Sequence, residues 1–219
     1  MPLPPSTTLK NVLVIGDSLS IGFTPLVANT LSDIALVQHA PWDVSDGGAE
    51  EADYFNQCLD NWLRSPSGMT FYPDLIYFNS GMHNLGINTT VEEGSSVPGQ
   101  SGNSTEYAAQ MQVVTQRLVE FAESSDGKTQ LLYGLTTPFL CEAETDVIIS
   151  ATLNPAATKI MGEQGVDVVD TYTPIVDYCG EAPQESCWDY KSCFCPHCAG
   201  GEGYDFLADI ISSAIMAAL

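Results

Sequence analysis

The sequence predicts an α/β protein of three layers, with helices on both faces of a parallel sheet of about five strands. Three observations carry this reading. Short aliphatic runs recur along the chain, longer amphipathic stretches separate them, and no internal repeat or linker divides the 219 residues. Strands separated by helices of that length need crossover connections, which place helices over both faces of a parallel sheet. A chain of this length is enough for one well-filled core. Residues 1–10 read as an N-terminal tail and 11–219 as a single domain.

The elements follow in order. Val12-Leu13-Val14-Ile15, with three β-branched residues of four, reads as a buried strand over 11–15. Gly16 ends it, and a helix is expected from about Ser20 to Leu31. A second strand is expected over 34–38 and a helix over 49–63. The third strand, 74–79, leads through a Gly/Ser-rich surface loop at 93–104 to a helix over 104–124. In that helix Tyr107, Met111, Val114, Leu118 and Phe121 recur at three- and four-residue steps. Strands at 130–135 and 166–170 flank a helix over 144–163, and the last helix spans 203–218. Gly127 and Gly165 stand where two of the helices should stop.

Charge narrows the partners. The formal net charge is −22, from 28 acidic and 6 basic residues. Such a chain repels nucleic acid and anionic membranes, so neither is expected as a partner. A solvated acidic surface explains the charge, and recruitment of a cationic substrate is the sharper alternative. The apolar stretch Ile210–Met216 is too short to span a bilayer. Met1-Pro2-Leu3-Pro4-Pro5 lacks the basic start and apolar core of a signal peptide, although a chain that has lost one would read the same. Of seven cysteines, five fall between Cys179 and Cys198: Cys179, Cys187, Cys193, Cys195 and Cys198. Sequons occur at Asn88 and Asn103. Together these features predict a secreted, disulfide-bearing protein. An odd count leaves at least one thiol free or paired between chains.

The candidate chemistry begins at Gly16-Asp17-Ser18. The carboxyl end of a strand is where open α/β sheets place ligands. A helix N-terminus following Ser18 would favour developing negative charge, which suits a nucleophile. The competing reading is a Ser or Asp helix cap. The chain has three histidines: His39 at the end of the second strand, His83 after the third, and His197 before the last helix. In a doubly wound sheet all three share the rim of Ser18.

Three pieces of sequence resemble the SGNH, or GDSL-type, hydrolase/esterase family. They are Gly16-Asp17-Ser18-Leu19-Ser20, Gly81-Met82-His83-Asn84, and His197 followed by Gly203-Tyr204-Asp205-Phe206-Leu207-Ala208. Their order and spacing span nearly the whole chain. The resemblance implies a flavodoxin-like α/β/α sandwich and ester hydrolysis without a cofactor. It makes Ser18 the nucleophile and His197 the general base that later protonates the leaving alcohol. It also implies an oxyanion hole of the Ser18 N–H, a glycine N–H and an asparagine side chain. Gly48 is assigned as the glycine, with Gly47 beside it as the alternative. Two positions depart from the family pattern. His83 stands where the family has asparagine, with Asn84 able to serve if the loop shifts by one residue; the bland alternative for His83 is a loop histidine without a catalytic task. Phe194 stands where the family has the aspartate that orients the base. Asp189 is the nearest upstream acid; without it, a Ser–His dyad remains.

The cysteine cluster has two readings of its own. Three thiolates and His197 are the donor types of a zinc site, but the spacing is tight and lacks a clean second pair. Disulfides that pin the loop carrying His197 are therefore expected, and no metal. Cys58 and Cys141 pair elsewhere or stay as buried thiols. Trp42, Phe71 and Tyr72 read as core or rim packing, with a sugar site as the alternative. The expected substrate is a small-molecule or carbohydrate ester with a short acyl group such as acetyl, because no long apolar insertion offers a lipid lid. The competing functions are O-acyl transfer and glycan binding by a weakly catalytic member of the fold.

Overall fold

The computed structural model describes residues 4–40, 48–64, 68, 70–85, 104–125, 129–140, 142–184, 187–188 and 201–219. Five parallel strands form one sheet: β1 (Lys10–Ile15), β2 (Ala35–Ala40), β3 (Leu75–Phe78), β4 (Gln130–Gly134) and β5 (Asp167–Val169). Their order is β2-β1-β3-β4-β5. The helices among the described residues are α1 (Ser18–Thr30), α2 (Ala52–Trp62), α3 (Ser104–Ser124), α4 (Ala143–Ile148), α5 (Asn154–Gln164), α6 (Thr173–Cys179) and α7 (Glu202–Ala218).

The strands form where their residues can be buried on both faces. Val12, Leu13, Val14 and Ile15 are fully buried, as are all four residues of β3. Alternation then assigns the layers. Tyr77 meets Phe23 of α1 edge-on, with ring centroids 5.9 Å apart. Its neighbour Phe78 points the other way, to Phe55 of α2 at 6.3 Å and Tyr133 of β4 at 5.2 Å. Helix α1 packs with α7 in one layer, while α2, α3 and α5 pack in succession in the other. This is the flavodoxin-like three-layer sandwich. The chain leaves β1 toward β2 and then returns past it to β3, so the strand order reverses between β1 and β3. Open α/β sheets place their ligand crevice at such a reversal.

The structure refines several expected elements. Helix α1 begins at Ser18 rather than Ser20, and α2 runs from Ala52 rather than 49. The helix expected over 144–163 is broken into α4, a π-helical turn at Ile149–Leu153, and α5. Pro155 has no N–H to offer and crowds the carbonyl one turn back, and the wider π turn accommodates it. Gly165 ends α5 in the left-handed conformation at φ 70°, as its position predicts. Gly127 lies outside the described residues.

Helix α7 is set against α1 by one close approach. A Cβ added at Gly22 of α1 would lie 2.4 Å from Cε1 of the buried Tyr204 ring, at the N-terminal end of α7. Glycine is required there for the two helices to meet. Gly22→Ala should therefore lower the unfolding free energy by about 1–3 kcal/mol, the usual cost of overpacking. A urea titration checks this; an unchanged midpoint would show that the ring moves aside freely.

Candidate functional site

Register brings the candidate residues to one level. Ile15 pairs with Ala40 on one side and Phe78 on the other. The segments leaving β1, β2 and β3 therefore start from the same edge of the sheet, at the strand-order reversal. Asp17 is the N-cap of α1: its Oδ1 accepts the Leu19 N–H at 3.0 Å. Asp17, 1% exposed, thus carries the cap that sequence alone left open between it and Ser18. The half-buried Ser18 is the first helical residue, and its hydroxyl takes no part in that cap.

The turn is closed from the side by Gly48. Asp17 and Gly48 form an isolated antiparallel bridge, and the Ala49 N–H donates to Gly16 O at 2.7 Å. Gly48 has φ 90°, and a Cβ there would lie 2.5 Å from the Gly16 carbonyl oxygen. Only glycine permits this conformation and this approach together. Gly47, the alternative, lies outside the described residues.

His83 and Asn84 lie on a 3-10 turn, Met82–Leu85. Asn84 is buried, and its Oδ1 accepts the Ala52 N–H at 3.1 Å, supplying the cap that Glu51 does not give α2. His83 is half-buried. The strand exit before them is held by hydroxyls. Tyr133 donates to Ser80 O at 2.7 Å, and the Tyr107 and Tyr133 oxygens lie 2.8 Å apart. Tyr133 holds the carbonyl, and the Tyr107 hydroxyl, 3.2 Å from the same oxygen, gives its one hydrogen to that carbonyl or to Tyr133. Thr136 Oγ1 adds a longer contact to the same carbonyl at 3.3 Å.

A residue pair not anticipated from the sequence is Ser20 with His39. Their side chains meet across α1 and β2, with Ser20 Oγ 2.6 Å from His39 Nε2. Ser20 donates its hydrogen to Asp17 O at 2.6 Å and is fully buried, out of reach of a substrate. The signal present in the sequence was a histidine at a strand end on the rim of Ser18.

The remaining candidates fall elsewhere. Asp189, Cys193, Cys195, His197 and Cys198 lie outside the described residues, as do Phe194, Cys141, Trp42, Asn88 and Asn103. Cys179 and Cys187 form a disulfide, and Cys58 is a free, half-buried thiol. Beside the disulfide, Tyr178 of α6 stacks on Trp188 at 5.4 Å, and both rings meet Phe206 of α7 at 5.3 and 5.5 Å. Phe71 is core, while Tyr72 is exposed and stacks on Phe121 at 4.9 Å. Tyr72 precedes β3, at the edge of the sheet opposite Ser18, so it is no part of this site. A cavity of about 440 Å³ lined by Leu135, Asn154, Lys159 and Tyr172 lies toward β5, with β3 and β4 between it and Ser18 in the strand order. Among the described residues no three His, Cys, Asp or Glu side chains gather as a metal site, and no helix is long and apolar enough to cross a membrane.

No protein-family model matches the sequence, and no curated protein is significantly similar to it. Solved structures are. An acetyl xylan esterase, AlAXEase, superposes with a TM-score of 0.68 at 16% identity, over 94% of this chain and 99% of the other. A GDSL-like lipase from Bacteroides thetaiotaomicron VPI-5482 gives 0.62 at 18% identity, over 98% and 92%. A lipase/acylhydrolase from Enterococcus faecalis gives 0.54 at 12% identity, over 95% and 96%. The protein has the SGNH, or GDSL-type, hydrolase fold along nearly its whole length.

Two predictions follow from the geometry. Gly48→Ala must strain the Gly16–Asp17 turn, and it should cost about 1–3 kcal/mol of stability; a thermal or urea transition measures this. Burial raises the Tyr133 phenol to about 12 and the Tyr107 phenol well above its ordinary value. Unfolded tyrosines ionise near pH ~10. Folding therefore favours the protonated phenols. Their contribution is complete below about pH 10; that of Tyr133 is lost as pH rises through its folded value of about 12, and that of Tyr107 is likewise lost only well above its ordinary range. Phenolate absorbance should show these two residues ionising only with alkaline unfolding; early ionisation of all tyrosines would contradict it.

Proposed function

We propose that the protein is a serine ester hydrolase with Ser18 as nucleophile and His197 as general base. The observation that carries this is the place of Ser18: the first residue of α1, at the strand-order reversal, with the capping role taken by Asp17. In this reading Ser18 Oγ attacks the ester carbonyl while His197 takes its proton. The oxyanion forms at the positive end of α1, where the Ser18 and Gly48 N–H groups and the His83 ring are the proposed donors. Asn84 is the alternative donor: its Oδ1 accepts the Ala52 N–H, and its Nδ2 hydrogens would serve the oxyanion. His197 then protonates the leaving alcohol, and water releases the acyl group by the reverse use of the same base.

The chain around Gly201 supports the delivery of His197. In sequence, His197 lies four residues before Gly201, which caps α7. Tyr204 packs that end of α7 on Gly22, one turn from Ser18. Asp189 directly follows Trp188, which Phe206 holds against the base of α7. In this reading the orienting acid is Asp189, or the base works as a dyad with a backbone carbonyl. The substrate is proposed to be a short acyl ester, such as an acetylated carbohydrate. An acetyl xylan esterase is among the structures with this fold, and the acidic surface disfavours anionic substrates. The disulfide and the two sequons fit an extracellular setting.

The deciding assay is hydrolysis of short- and long-chain chromogenic esters by the wild type, Ser18→Ala and His197→Ala. Short-chain turnover should fall by about 10³-fold or more in each variant, leaving only the residual contribution of binding and the oxyanion hole. Turnover should rise with pH as imidazole loses its proton, between about 5 and 8. Turnover retained in Ser18→Ala would refute the nucleophile, and retained in His197→Ala would refute the base. A folded, oxidised wild type with no turnover would favour glycan binding.

A further inference from the structure

Ser20 and His39 stand beside the nucleophile yet take no part in the reaction as described. Ser20 Oγ is 2.6 Å from Asp17 O and 2.6 Å from His39 Nε2, and it is fully buried. Two oxygens 2.6 Å apart repel unless a hydrogen lies between them, and a carbonyl has none to give, so the single serine hydrogen goes to Asp17 O. His39 Nε2 must then carry a hydrogen and donate it to Ser20 Oγ. This fixes the direction of the chain: His39 Nε2–H to Ser20 Oγ–H to Asp17 C=O. The carbonyl also accepts the Ile21 N–H at 3.1 Å.

The receiving carbonyl belongs to the Asp17–Ser18 peptide. That unit is planar and trans, so its N–H points opposite to its C=O. Holding the oxygen thus sets the direction of the Ser18 N–H and the plane from which the Ser18 side chain departs. Successive hydrogen bonds polarise one another, and a carbonyl engaged this way makes its own N–H a stronger donor. We propose that His39, acting through Ser20, is a positioning residue for the reaction: the chain of hydrogen bonds from β2 aims and polarises the peptide that presents Ser18. This rests on the reading of Ser18 as the nucleophile and its N–H as an oxyanion donor.

The inference separates ring chemistry from packing. His39→Leu keeps much of the volume and removes the donor, whereas His39→Gln places an amide N–H close to the position of Nε2. Ser20→Ala breaks the middle of the chain. Loss of an oxyanion donor outright costs about 10²–10³ in kcat, and misaiming one should cost about tenfold. Expected results are a roughly tenfold fall in kcat with KM unchanged in His39→Leu and in Ser20→Ala, with most of kcat restored in His39→Gln. The double variant His39→Leu/Ser20→Ala should be no worse than either single one, because one chain is being broken twice. Thermal melts of each variant identify any that fail to fold, and the contrast between Leu and Gln at position 39 then decides the matter. Ser18-dependent turnover unchanged in both His39→Leu and Ser20→Ala, a rise in KM alone, or an equal loss in His39→Gln would overturn this inference while leaving the esterase reading intact. Absence of Ser18-dependent turnover in the wild type would overturn both.

Discussion

The site depends on Asp17. Its carboxylate caps α1 through the Leu19 N–H, its carbonyl receives the Ser20 hydroxyl and the Ile21 N–H, and its backbone pairs with Gly48. One buried residue therefore joins the first strand, the first helix and the segment that returns after β2. A buried carboxylate with unmet hydrogen bonds would be costly; here a backbone N–H at a helix start satisfies it and the helix dipole favours its charge. Because Asp17 carries the capping duty, Ser18 keeps its hydroxyl for other work.

Around that turn, the fold contributes rigidity by hydrogen bonds that cross between elements. The carbonyl of Ser80 is fixed by phenols from α3 and β4, and Asn84 fastens the exit of β3 to the first turn of α2. Each is a buried polar contact with its partner present, which orders the backbone at small net cost. The apolar core beneath has a simpler task. It stacks β1 and β3 between two helical layers and holds their ends in register.

Much of the architecture was legible from local pattern. The five strands lie close to their expected limits because doubly buried strands are written as uninterrupted aliphatic runs, and Val12–Ile15 and Leu75–Phe78 are both of this kind. Helix α3 coincides with its expected span because its apolar residues keep helical spacing for about four turns. The π turn before Pro155 and the seven-residue α6 escaped notice, since neither is long enough to carry a period. Within the site, Ser18 and Gly48 stand out by local sequence, a residue after a strand and a glycine in a turn. The Ser20–His39 pair does not, because it exists only through the register Val14↔His39, which places the second strand beside the first. The commitment of Asn84 to α2 is equally non-local.

The clamp formed by Tyr178, Trp188 and Phe206 beside the Cys179–Cys187 bridge has an evolutionary consequence. It joins chain positions 188 and 206, so the ends of the intervening segment meet whatever lies between them. Loop-closure entropy grows only slowly with length, by about 0.6 kcal/mol for each doubling. Insertions between Trp188 and Gly201, before the cap of α7 and the buried Tyr204, therefore burden the sandwich little. A lineage of such proteins is free to try new residues in that segment without endangering the frame that carries Ser18.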